Sequence, residues 1–205
     1  MKRAADASDT RAAAHDPVGP NVDALRRTLA LVERLTDEQY GHVERRLSSA
    51  SIGAHVRHVL DHYRLFLDGL PGGEVDYDAR ERDTDVEHSA AAAAAEARRL
   101  IAALRALAAG AGGAAGGAGG GGGWAGRPLR VRQQGDELPG RCDGCDSHVE
   151  RELLFLLSHA VHHQALIAVL ARVQGLDVPE LFGVAPSTAS WQRSQDMRED
   201  SPCAR

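Results

Sequence analysis

Four stretches of the chain carry apolar residues at the three- and four-residue spacing of a helix with one buried face. The first opens near Asn21, a good N-cap residue, and places Leu25, Leu29, Val32 and Leu35 on one stripe. Thr36 to Gln39 has the capping-box spacing and predicts a short extra turn before Gly41. The second helix runs from Ser51 towards Pro71, with Ile52, Val56, Val59, Tyr63, Phe66 and Leu70 in one sector. Arg57, Asp61, Arg64 and Asp68 lie opposite. Thr84 to Glu87 is a second capping box and predicts a third helix, through an alanine run with Ile101, Leu104 and Leu107 buried, to a stop at Gly110. Ser147 to Glu150 is a third such box, heading the longest helix, Arg151 to Val173. The face of that helix reads Glu152, Phe155, Leu156, His159, His163, Leu166, Ile167, Leu170, and Gln174-Gly175 ends it.

The remainder reads as connection. Residues 1–20 are polar and Ala-rich and read as a disordered arm, and 191–205 as a disordered tail. From about 110 to 124 the chain is nearly pure Gly and Ala. No strand signal, Lys-Ser/Thr or GxGxxG spacing accompanies it, so a flexible insertion is expected rather than a phosphate cradle. Pro128 to Arg132 reads as a short extended piece. The expectation is an all-α four-helix bundle over 21–190, with one long crossover between the third and fourth helices.

Composition narrows the function classes. In 205 residues the hydrophobic share is 43% and the charged share 26%, ordinary for a globular domain. A net charge of −5 and the lack of a basic stripe with interleaved aromatics argue against a nucleic-acid partner. No apolar h-region heads the chain, and no uninterrupted apolar run approaches the roughly 20 residues of a membrane span. Three cysteines make no disulfide framework, so a cytoplasmic setting is expected.

The chemistry lies in the histidines, six of whose ten fall in two windows. His159 and His163 are four apart, so their rings lie one above the other on the apolar face of the last helix. A buried imidazole needs a partner for each ring nitrogen. Separate bonds to backbone or carboxylate would serve, and so would one metal ion. His55, His58 and His62 recur on a flank of the second helix. Two such clusters on two helices favour metal binding, although periodicity does not select one of the three. Glu152 and Asp61 are candidate acceptors for the outward ring nitrogens, and Glu152 a candidate proton acceptor. An acid complementing the helix dipole is an equally good reading of Glu152. Tyr77, Asp78, Arg80 and Arg82 could line the mouth of the pocket, or form ordinary ion pairs.

SIGAHVRHVLDH from Ser51, followed by SHAVHHQALIAVL from Ser158, resembles the DinB-like (damage-inducible) superfamily of metal-binding four-helix bundles. VDYDARERD at 75–83 and FGVAPST at 182–188 strengthen the likeness. The resemblance implies a metal on His58, His159 and His163, with His55, His62 and His162 lining the site or simply packed. Gln164-Ala165-Leu166 stands where many members carry Arg-Gly-Gln, and the glycine segment and Cys142-Asp143-Gly144-Cys145 have no counterpart in the family pattern.

A three-histidine site leaves the full charge of a divalent ion and at least one open position. Zinc or nickel suits the ligands best. The resemblance implies a metal-dependent enzyme acting on a small molecule. Transfer involving a low-molecular-weight thiol leads, with hydrolysis, or a non-catalytic metal-binding stress protein, as alternatives. It also implies a homodimer. A third possibility makes Cys142 and Cys145 a redox pair or half a zinc site, but a βαβ context and a second ligand pair are both lacking.

Overall fold

The computed structural model describes residues 16–80, 84–110, 126–132 and 144–199. The first fifteen residues, Arg82, the Gly/Ala segment from 111, Cys142 and the tail from 200 lie outside the described residues. Among the described residues, seven helices and three short strands follow in the order α1 (Val18–Val32), α2 (Asp37–Gly41), α3 (Ile52–Gly69), β1 (Glu74–Asp76), α4 (Asp85–His88), α5 (Ala90–Ala108), β2 (Pro128–Arg132), β3 (Cys145–His148), α6 (Val149–Val173) and α7 (Pro186–Glu199).

Four of these form the bundle. α1 packs on α5 and α6, and α3 packs on α5 and α6. α3 and α6 are therefore neighbours, although about a hundred residues separate their histidines in sequence. The core is built from Leu25, Ile52, Phe66, Leu100, Leu104, Leu153, Leu156 and Ile167, all of them fully buried. Ala90, Ala93, Ala94 and Ala97 form the buried start of α5, and their small side chains let its backbone come close to its neighbours.

Several boundaries differ from the sequence expectation. α1 begins at Val18 because the Asp16 carboxylate accepts from Val18 N at 2.9 Å and Gly19 N at 3.1 Å. Pro20 is tolerated there because first-turn N–H groups have no helical partner. Asn21 is thus no cap but a fully buried core amide. The capping box at Thr36 and Gln39 is present. Thr84 makes no side-chain cap, and the expected third helix is split at Ser89, whose hydroxyl caps α5 by accepting from Ala92 N. Gly53 permits α4 to lie on α3, since a Cβ there would strike the Glu87 carbonyl and the Tyr40 ring. The cap of α6 is His148, accepting from Arg151 N at 3.0 Å, and not Ser147. α7 carries the chain in helical form to Glu199, past the start of the expected tail.

A small sheet, ordered β1-β2-β3, is the main addition to the all-α expectation. β1 and β2 are parallel, with Val75 opposite Val131, and β2 and β3 are antiparallel, with Leu129 opposite Ser147. Val75 and Leu129 are buried. The sheet joins the end of α3 to the start of α6 and so fixes Tyr77 and Arg80, which follow β1, beside the histidines.

Candidate metal centre

α3 and α6 face each other across the histidines. The ligand atoms of His58, His159 and His163 lie within 4.8 Å of one another. The ring of His58 is 4.9 Å from that of His159 and 4.5 Å from that of His163, and His159 and His163 are 4.5 Å apart. The three are partly buried at the edge of the core rather than in mid-stripe. The buried centre of α6 runs instead through Leu153, Leu156, Ala160, Gln164, Ile167 and Ala171. Leu166, expected inside, is 38% exposed.

Burial strips water from the rings and is the main force on their acidity. It pushes His58 down to about 2, helped by His62, His163, His159 and Arg80. His159 falls to about 3 and His163 to about 4, again chiefly by burial and then by neighbouring histidines. At neutral pH these imidazoles are uncharged, so each has a lone pair to offer. His159 Nε2 is buried and has no hydrogen-bond partner among the described residues. A buried ring nitrogen without a partner, in a group of three uncharged imidazoles, is one that a cation would satisfy. The donor set fits a divalent metal.

The surrounding side chains divide into partners and bystanders. His55 Nδ1 lies 3.1 Å from His163 Nδ1, so one of the two carries the shared proton. His62 is buried, and its Nδ1–H donates to the His58 carbonyl oxygen at 2.7 Å. Its ring packs 4.2 Å from His159 and stacks on Tyr77 at 5.3 Å. His162 is exposed, 5.2 Å ring to ring from His163. Arg80 Nη1 donates to His58 Nδ1 at 2.6 Å, a contact the sequence did not reveal.

Among the described residues, neither carboxylate proposed as an acceptor is hydrogen-bonded to a histidine. Glu152 is fully buried and takes bonds from Tyr77 Oη at 2.9 Å, Ser147 Oγ at 2.5 Å and Arg151 Nη1 at 2.8 Å. Its link to the cluster is indirect, through the Tyr77 ring against His62. Burial and the Glu152 charge raise the Tyr77 hydroxyl's pKa, which keeps it a donor. Asp61 is bound by Arg57 at 3.0 Å and Arg64 at 3.5 Å, and Arg57 also pairs with Glu87 of α4 at 2.8 Å. At Arg57 and Asp61 this charged face of α3 is largely covered, with α4 lying against it, while Asp68 faces water.

Cys145 is exposed on β3. With Ser147, His148, Arg151 and Glu152 it lines a cavity of about 360 Å³ whose walls do not include the three clustered histidines. The FGVAPST segment closes over α6: Phe182 is buried, and Gly183, at φ 76°, lies so close that a Cβ would meet the Ala165 backbone. No curated protein and no solved structure matches the chain. Residues 22–167 do match the family model of the DinB superfamily, a span that takes in α3, α5 and most of α1 and α6, and the chain belongs to that superfamily.

Proposed function

We propose that the chain is a metal-dependent enzyme that holds a divalent cation, zinc or nickel, on His58, His159 and His163 and transfers a small thiol to an electrophilic small molecule. The observation that carries the reading is His159 Nε2, a buried ring nitrogen without a partner, on a residue of the three-histidine group. When bound, such an ion lowers the pKa of a thiol or water at its open position and so supplies a nucleophile at neutral pH.

The chain's own residues supply the rest. His62 and Phe155 wall one side of the cluster with rings, His62 held by its bond to the His58 carbonyl and Phe155 stacked on His159 at 5.6 Å. Tyr77, anchored on the buried Glu152, braces His62 from behind. Such a rigid, largely apolar wall keeps water from competing with a bulkier nucleophile.

The test is elemental analysis of protein purified without chelators, followed by incubation of the metal-loaded form with a panel of low-molecular-weight thiols and an electrophile. One metal per chain is expected, absent from His58→Ala and His163→Ala, together with a thiol-dependent product. Hydrolysis without thiol dependence would transfer the role to water. Stoichiometric metal with neither product would leave a binding protein.

A further inference from the structure

A neutral imidazole has one N–H and one lone pair. Arg80 can only donate, so its bond to His58 Nδ1 at 2.6 Å places the lone pair of His58 on that nitrogen and the proton on Nε2. A cation needs that lone pair. Coordination through Nδ1 evicts the guanidinium. Coordination through Nε2 moves the proton to Nδ1, where it would confront the arginine N–H. The Arg80 bond and a metal–His58 bond therefore exclude each other.

Among the described residues, the released guanidinium has few local partners to return to. Asp78 pairs with it at 3.9 Å, within ion-pair range but beyond hydrogen-bond reach. Asp61 is held by Arg57 and Arg64, and Glu152 by Tyr77, Ser147 and Arg151. Three neutral imidazoles cancel none of the ion's charge, and Arg80 adds to it. A half-buried site with that excess of positive charge calls for an anion, and a guanidinium fork matches the spacing of two oxygens on one carbon or phosphorus.

We propose that Arg80 and the bound cation replace one another on His58, and that the guanidinium so released recognises an oxyanion group, carboxylate or phosphate, on the small molecule that the site takes. This rests on the metal reading above and adds a ligand class to it.

The experiment uses the full chain as wild type, Arg80→Ala and Arg80→Lys, each checked for unchanged thermal unfolding without metal. Zinc affinity is measured first, by competition with a chromophoric chelator in oxyanion-free buffer. Arg80→Ala is expected to bind zinc about tenfold more tightly, because it loses both the competing donor and its charge. Acetate and inorganic phosphate are then titrated separately into cobalt-loaded protein, with the cobalt absorption followed. At least one should bind wild type, and about tenfold more weakly Arg80→Ala; which one binds separates carboxylate from phosphate. Arg80→Lys, which keeps the charge but loses the fork, should fall between. Zinc affinity unchanged or weaker in Arg80→Ala overturns the exchange, and equal or absent oxyanion binding in the two proteins overturns the recognition. A wild type that binds no metal defeats the metal reading itself, a result distinct from either.

Discussion

His55 is the residue whose role follows most directly from a single distance. Its Nδ1 faces His163 Nδ1 at 3.1 Å, and only one of the two nitrogens can carry the proton. If His163 carries it, His163 Nε2 is free for a metal; if His55 does, His163 Nε2 is itself protonated. Metal binding through His163 Nε2 thus requires His55 to act as acceptor, the part usually taken by a carboxylate or carbonyl oxygen behind a ligating histidine. Replacing His55 with Leu should weaken metal binding by about 10- to 100-fold. His55→Asn, which keeps an acceptor near the same place, should recover much of the loss. Chelator competition on the three proteins checks this, and equal affinities would mean that His163 is oriented by other contacts. Within the site, the HxxxH of α6 and the histidine run of α3 were legible in sequence because helical spacing fixes which side chains share a face. Arg80 was expected at the mouth of the pocket, but its bond to His58 was not legible, because Arg80 lies beyond β1 and only tertiary structure returns that loop to α3. Glu152 and Asp61 were placed beside the histidines on spacing alone. Other side chains took them: Arg151, Tyr77 and Ser147 hold Glu152, and Arg57 and Arg64 hold Asp61.

The α3 helix was almost wholly readable: every member of its apolar stripe from Ile52 to Leu70 is buried. In α6 the buried face lies to one side of the expected one. The cause is composition, since Leu154, Val169 and Val173 are apolar yet 51%, 48% and 53% exposed, and a helix apolar nearly all round does not declare its inner face. By length and hydropathy alone α6 could cross a membrane, yet here it is a bundle helix packed on α1 and α3. The polar residues inside are the better guide. Gln164 donates to Ala24 O at 2.8 Å and Thr28 Oγ1 at 3.1 Å, pinning α6 to α1. Asn21 joins three helices, donating to Pro17 O at 2.7 Å and Leu153 O at 3.0 Å while accepting from Tyr63 Oη at 2.7 Å. Asn21→Ala leaves the Tyr63 hydroxyl buried without an acceptor, so it should cost about 1–3 kcal/mol beyond the lost packing. Tyr63→Phe added to that variant should then cost less than it does alone. Urea unfolding of the two single variants and the double measures the coupling. Strict additivity would show that the two side chains do not share a bond. Of the strands, β2 coincides with the extended piece expected at Pro128 to Arg132, whereas β1 and β3, at three and four residues, are too short for a period of two to stand out.

At the scale of the molecule, the histidines belong to two helices that the chain brings together only after α4, α5 and the sheet have intervened. A cation on His58, His159 and His163 would link α3 to α6 directly, and the unfolded chain offers no comparable preformed site. Binding free energy then becomes folding free energy. At a free metal concentration one hundred times the dissociation constant the gain is about 2.7 kcal/mol, less whatever the unfolded histidines and cysteines bind. For a chain of this size that raises the melting temperature by about 5–10 °C. Scanning calorimetry with excess chelator and then with zinc should show this rise, growing with the logarithm of zinc concentration once the site is filled. The rise should disappear in His58→Ala, which loses the only one of the three ligands carried by α3, and should survive in His162→Ala, whose ring is exposed and outside the three-histidine group. An equal rise in wild type and His58→Ala would place the zinc elsewhere, on α6 alone or on the cysteines. The bundle would then keep its shape without a metal link between its two histidine helices.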